Sequence, residues 1–186
     1  MNAWAADVEG PVGLVGLGLV GQALGCRLRQ VGFQVMGFDR SDQACAAWSA
    51  AGGGLAQSAA DLGQRCSKVV LAVFDTAGVL EVVEGPAGLL DGGTLRTVID
   101  CSTGDPQALE GLAARLSQRG VDFIEAPLSG SSQQIADGQA TMLLGGARPH
   151  SNATRPCCRP CRRGASMWAV RGWAPVPSWP PTSCWG

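Results

Sequence analysis

Gly16, Gly18 and Gly21 stand in a G-x-G-x-x-G frame, with Leu17, Leu19 and Val20 between them, and Asp39 follows eighteen residues after the last glycine. Residues of these types at this spacing can hold a dinucleotide. Gly16 permits a tight turn, Gly18 brings bare backbone up to a pyrophosphate, and Gly21 lets a helix pack close to the preceding strand. The start of that helix presents unpaired N–H groups and a partial positive charge to the phosphates. A carboxylate at the tip of the next strand accepts hydrogen bonds from both hydroxyls of an adenosine ribose. Asp39 also repels a 2′-phosphate, which favours NAD over NADP, while Arg40 beside it carries the charge to bind that phosphate. The cofactor expectation is therefore NAD or NADP, with NAD ahead. Three glycines alone would fit a plain turn; the strand before, the helix after and the acid beyond set this case apart.

The elements that must position these residues alternate. Residues 12–15 form an apolar strand, and residues 20–31 carry Leu24, Leu28 and Val31 at helical spacing, closed by Gly32. A strand at 34–38 leads to Asp39. Ser41 or Asp42 caps the next helix, and Ser58 caps a short one at 59–64. Residues 69–73 are continuously apolar, as a strand buried on both faces should be. Asp75 or Thr76 opens a helix. Strands follow at 97–100, 122–125 and 140–144, with a helix between the first two that starts at Asp105-Pro106 and turns Leu109, Leu112, Ala113 and Leu116 inward. This order predicts an α/β protein with a Rossmann-like, doubly wound, mainly parallel sheet. Its divisions are an N-terminal extension (1–10), an NAD(P)-binding domain (11–147) and a tail (148–186).

The formal net charge of −1 conceals an uneven distribution. Residues 1–146 hold 8 of the basic residues and all 15 acids, a net of −7, whereas the tail holds six arginines and no acid. An arginine-rich tail can bind nucleic acid, but the origin of this tail argued below leaves no nucleic-acid partner expected. No basic, apolar leader opens the chain and no apolar run is long enough to span a bilayer, so no membrane role and a cytoplasmic setting are expected. Cys26, Cys45, Cys66 and Cys101 read as small apolar fillers. Cys158-x-x-Cys161 has no second half of a zinc site, since His150 is the only histidine, so no metal is expected.

Four stretches together resemble the β-hydroxyacid dehydrogenases, the family of 3-hydroxyisobutyrate dehydrogenase, with 6-phosphogluconate dehydrogenase as a larger relative. They are Gly16-Leu17-Gly18-Leu19-Val20-Gly21, Ile99-Asp100-Cys101-Ser102-Thr103, Glu125-Ala126-Pro127-Leu128-Ser129-Gly130-Ser131 and Thr141-Met142-Leu143-Leu144-Gly145-Gly146. Val20 stands where the family has methionine, and Glu125, Leu128 and Ser131 depart from its D-A-P-V-S-G-G. The resemblance implies that Val73, Phe74 and Asp75, with Ser102 and Thr103, hold the nicotinamide half of the cofactor. It implies that Ser129, Gly130 and Ser131 grip the carboxylate of a small hydroxyacid substrate. An imine-reductase-like enzyme shares the fold and the glycine loop, but the Ala126-Pro127-Leu128-Ser129-Gly130 stretch argues against it.

The resemblance stops near Arg148. The family's reaction uses a lysine, and an asparagine four residues later, in G-x-G-x-x-x-K-x-x-x-N on a helix after the nucleotide domain. This chain has one lysine, Lys68, at the start of a strand and so at the far end of the sheet. No catalytic residue is therefore expected in the chain as printed, and the C-terminal helical domain is absent, along with most of the surface through which an intact family member forms homo-oligomers. Seven of the 11 prolines and four of the 6 tryptophans lie beyond Arg148 without period. A shifted reading frame accounts for them. If each true codon joins the last base of one printed codon to the first two of the next, every Trp and Cys becomes Leu, Val or Met. Residues 165–186 then allow V-H-V-G-G-S-G-V-G-A-R-A-K-L-A-A-N-L-L-L-G, with the lysine across Pro177 and Ser178 and the asparagine across Pro181 and Thr182. The expectation is an irregular, out-of-frame tail on a nucleotide domain. The reading as a non-catalytic dinucleotide-binding fragment stands beside that of a dehydrogenase.

Overall fold

The computed structural model describes residues 10–144 and 168–170. Strands β1 (Val12–Val15), β2 (Val35–Phe38), β3 (Gly54–Leu55), β4 (Lys68–Leu71), β5 (Thr97–Asp100) and β6 (Asp122–Glu125) form one sheet in the order β3-β2-β1-β4-β5-β6, all parallel. Parallel neighbours need crossovers, and helices supply them on both faces. Helices α3 (Ala59–Arg65), α4 (Thr76–Glu84) and α5 (Pro106–Gln118) cover one face, where Leu62, Val79, Val83, Leu112 and Leu116 are fully buried. Helices α1 (Leu19–Gln30), α2 (Asp42–Ala50) and α6 (Ser132–Ala136) bring Leu24, Trp48 and Ile135 onto the other. The arrangement is the Rossmann-like, doubly wound α/β fold.

Local chemistry explains the boundaries. Ser41, Ser58 and Asp75 each accept a main-chain N–H from the first turn of α2, α3 and α4. Asp105 accepts the Gln107 N–H with Pro106 at the first helical position, and α5 then buries Leu109, Leu112 and Leu116, each worth about 1.5–3 kcal/mol. Gly32 takes the left-handed conformation (φ +101°) that ends α1. Trp48 fills the space above three glycines: a Cβ at Gly25, Gly37 or Gly53 would come within 2.3, 2.7 or 2.1 Å of its ring. Its indole N–H donates to the Gly54 carbonyl at 2.8 Å.

Several expectations need correction. The strand expected at 69–73 runs instead from Lys68 to Leu71, because the Val73 N–H is taken by the Ser102 hydroxyl rather than by a neighbouring strand. Strand β8 (Thr141–Leu144) does not extend the main sheet. It pairs antiparallel with the unforeseen β7 (Leu128–Ser129) and parallel with β9 (Trp168–Val170). Strand β9 falls within the expected tail, and the rest of 148–186, with its cysteines and His150, lies outside the described residues. Of the four cysteines read as fillers, Cys66 and Cys101 are buried, but Cys26 is exposed on the outer side of α1 and Cys45 is half-buried. Among the described residues no helix is long and apolar enough to cross a membrane.

Candidate functional site

Val15, Phe38, Leu71, Asp100 and Glu125 are register partners across β2-β1-β4-β5-β6, so the parallel strands end at one level. Every loop singled out in the sequence leaves from that edge. Strand order reverses between β1 and β4, and open parallel sheets bind ligands in the crevice beyond the carboxyl ends at such a switch point. Lys68 begins β4 beside Val12 and Thr97, at the opposite edge.

The three loop glycines have different causes. Gly16 sits at φ +89°, and a Cβ there would lie 2.3 Å from the Ala72 carbonyl oxygen. A Cβ on Gly21 would collide with the Gly16 carbonyl. Both are therefore required by the fold. Gly18 is not: its φ is −71°, and a Cβ would meet nothing within 4 Å. Gly18 is also the N-cap of α1 and offers no side chain to the orphan amides of the first turn. A bare, open backbone at the N-terminus of a twelve-residue helix is a cradle that a pyrophosphate fits, and the protein's own packing supplies no other reason for glycine at this position.

Leu17 serves the fold more than the ligand. Its side chain is fully buried and its N–H donates to Asp39 Oδ2 at 2.6 Å. Leu19 and Val20 are exposed, at 82% and 38%, on the first turn of α1. Asp39 is half-buried, and its Oδ1 accepts the Ser41 N–H at 2.8 Å. Arg40 points elsewhere: its Nη1 lies 2.9 Å from Glu81 Oε2 on α4. Glu81 carried no sequence signal, since it is one acid in a surface helix.

Around β4 and β5 the structure divides the expected nicotinamide ligands. Phe74 is 96% exposed, and Thr103 is exposed. The Asp75 carboxylate caps α4 through the Gly78 N–H at 2.8 Å. Ser102 is buried, and its hydroxyl accepts the Val73 N–H at 3.1 Å, tying the two loops together. Its N–H in turn donates to Asp100 Oδ1 at 2.9 Å. Asp100 is 1% exposed and its Oδ2 has no hydrogen-bond partner among the described residues. Burial pushes its carboxyl above the ordinary range, while the Ser102 hydroxyl and N–H pull the other way. Glu125, its register partner, is also pushed up, first by burial and then by the charges of Asp100 and Glu110. Cys101, next in sequence to Asp100, is pushed up to about 12, first by burial and then by the Asp100 charge, so its thiol stays protonated. Sequence reasoning had quoted Asp100 without giving it a role; the polar end of an otherwise apolar strand was the available signal.

Beyond β6, Ser129 is exposed and Gly130 sits at φ +144°. Ser131 is committed to helix capping. Its hydroxyl accepts the Gln134 N–H at 3.2 Å and its own N–H donates to Gln134 Oε1 at 2.8 Å. Of this trio, Ser129 alone presents a hydroxyl without a described partner. Among the described residues no group of three or more His, Cys, Asp or Glu is placed to hold a metal.

Residues 11–164 match the family model of the NAD binding domain of 6-phosphogluconate dehydrogenase. The chain is 31% identical over 149 residues to cytokine-like nuclear factor N-PAC of Pongo abelii, covering 80% of this chain and 27% of that protein. It is 33% identical over 138 residues to L-threonate dehydrogenase of Cupriavidus necator, covering 73% of this chain and 46% of that enzyme. The crystal structure of 3-hydroxyisobutyrate dehydrogenase from Salmonella typhimurium superposes with a TM-score of 0.73 at 26% identity, over 88% of this chain and 56% of that one. The chain therefore spans under half the length of these two curated relatives.

Proposed function

The chain belongs to the β-hydroxyacid dehydrogenase family, which shares the NAD-binding domain of 6-phosphogluconate dehydrogenase, and from that premise we propose that residues 11–147 bind NAD in preference to NADP as the nucleotide domain of a dehydrogenase of a small β-hydroxyacid. The observation that carries the reading is Gly18, a glycine that the fold does not need, open to space at the start of α1.

Bound there, the nicotinamide supplies the hydride acceptor for the substrate alcohol. The chain's own residues hold and orient. Gly18 and the first-turn amides of α1 receive the pyrophosphate, and the second lone-pair directions of the Asp39 oxygens receive the ribose hydroxyls. The loop at 73–75, braced through Val73 by Ser102, borders the nicotinamide end. Ser129 and the Gly130 N–H suit a substrate carboxylate. Proton transfer needs a positioned acid/base, and Lys68 lies at the wrong edge of the sheet. The printed chain is therefore proposed to bind without turnover. A second reading, a dinucleotide-binding module with a non-catalytic role, is favoured by the name of the N-PAC relatives, which is that of a nuclear factor.

Titrating NADH and NADPH against the 186-residue chain, followed by nicotinamide fluorescence, tests the binding. Saturation by NADH at lower concentration than by NADPH supports the reading; no saturation by either ends it. Turnover of small β-hydroxyacids by a full-length, frame-restored protein separates the dehydrogenase from the module.

A further inference from the structure

We infer that Glu81, acting through Arg40, is a specificity-determining residue for the choice between NAD and NADP. The inference rests on the proposed dinucleotide reading of the site. Arg40 leaves the end of β2, Glu81 lies on α4 after β4, and β2 and β4 flank β1. Their 2.9 Å ion pair therefore reaches over one strand, about 10 Å from β2 to β4, at the edge where the phosphate loop begins. Asp39 does not pair with its neighbour Arg40: its two oxygens face the Leu17 and Ser41 amides. Arg40 is neutralised by Glu81 instead.

Asp39, Arg40 and Glu81 together carry a net charge of −1, two carboxylates against one guanidinium. A ribose held by Asp39 places its 2′-oxygen beside these groups. A hydroxyl there disturbs nothing. A 2′-phosphate, carrying about −1.5 to −2 charges, must draw Arg40 away from Glu81 and leave that carboxylate unpaired nearby. The Arg40 that could favour NADP is thus already committed, and Glu81 adds a second repulsive charge to that of Asp39. The side chains of Arg40 and Glu81 are 74% and 59% exposed. Exposed pairs of this kind contribute little to folding, so a substitution is read in nucleotide choice rather than in loss of the domain.

The test measures NADH and NADPH affinities of the 186-residue chain and its Glu81→Gln, Arg40→Ala and doubly substituted forms, at low and at high ionic strength. Glu81→Gln is expected to tighten NADPH relative to NADH by roughly two- to fivefold, the scale of an exposed ion pair. The gain should vanish in the Arg40→Ala background and shrink with salt. An unchanged NADPH-to-NADH ratio in a chain that binds both nucleotides overturns the role of Glu81. Persistence of the gain without Arg40 overturns the route through Arg40. Failure of the unsubstituted chain to bind either nucleotide removes the site reading, and this inference with it.

Discussion

The Leu17 N–H donates to Asp39 Oδ2 across 22 positions of sequence, which makes the acid after β2 part of the phosphate loop. One carboxylate thus has two tasks. It holds the loop after β1 in place, and under the proposed reading its remaining lone pairs take the ribose hydroxyls. The G-x-G-x-x-G spacing and the distant acid form one structural unit, joined at a main-chain amide.

Asp39→Ala removes both tasks. A hydrogen bond to a charged group contributes about 1.5–3 kcal/mol, so NADH affinity should fall at least tenfold. NADPH should lose less, because the same change relieves repulsion of its 2′-phosphate. Asp39→Asn keeps an acceptor for the Leu17 N–H and removes the charge, so it should shift selectivity with a smaller loss of stability. Equal losses of both nucleotides in parallel fluorescence titrations would place the ribose elsewhere.

Gly16 and Gly18 should separate folding from binding. Gly16→Ala forces a side chain into a left-handed conformation and against the Ala72 carbonyl, and should destabilise by more than about 2 kcal/mol. At Gly18 a Cβ meets nothing within 4 Å, so Gly18→Ala should cost no more than the loss of a favoured N-cap residue, about 1 kcal/mol, and Gly18→Val should in addition abolish nucleotide binding. Thermal denaturation and NADH titration of variants at the two positions give opposite patterns; a Gly18→Val chain that binds NADH normally sinks the placement of the pyrophosphate.

Much of the fold was legible because its elements carry local signatures. β1, apolar throughout, β5, with Val98 and Ile99 at its centre, and the capped helices α2 to α5 announce themselves through residues close together in sequence. What escaped depends on distant partners. β3 has two residues and no pattern of its own, and exists because Met36 and Gly37 offer it a ladder. β7 exists because Thr141 and Met142 of β8 pair with it; α6 is the exception, since its capping box of Ser131 and Gln134 is a local signal that went unread. In the site, the glycine loop and Asp39 were readable from spacing. Asp100 was not, because its burial is set by tertiary packing at the end of β5 and not by any local pattern. The Arg40–Glu81 pair was not, because 41 positions separate its members.

Asp100 should make stability depend on pH in the sense opposite to acid denaturation. Its folded carboxyl titrates above its ordinary value of 3.8, so between the two values the folded state holds more protons than the unfolded state. Its stabilising share is complete below 3.8 and is lost as pH rises through the raised value. Glu125 acts in the same sense. Asp100→Asn keeps an acceptor for the Ser102 N–H and does not titrate, so urea midpoints measured upward from about pH 4 should fall less steeply than in the unsubstituted chain. Identical slopes would show that Asp100 ionises without penalty. Because Ser102 also holds Val73, the same variant reports whether the two nicotinamide-side loops depend on this carboxylate.

The printed chain should not turn over a hydroxyacid, and the reason is positional. A general acid/base must reach the substrate oxygen, and such a group contributes roughly 10²–10⁴-fold in rate. Ser129 and Gly130, proposed to take the substrate, follow β6, while Lys68 sits at the start of β4, on the opposite edge of the sheet. No other lysine occurs in the sequence. Residues 165–186, if read in the proposed shifted frame, allow a lysine and, four positions on, an asparagine, a spacing that sets two residues on one face of a helix. If the proposed frame holds, a version shifted after Arg148 and continued by a helical domain of the family type should catalyse NAD-dependent oxidation of small β-hydroxyacids. Replacing the restored lysine with alanine should lower kcat at least a hundredfold while leaving NADH affinity unchanged. The decisive comparison is NAD reduction by the printed and restored proteins on the same substrate panel. Equal turnover by both would mean that neither the shifted frame nor the lysine accounts for the chemistry of this chain.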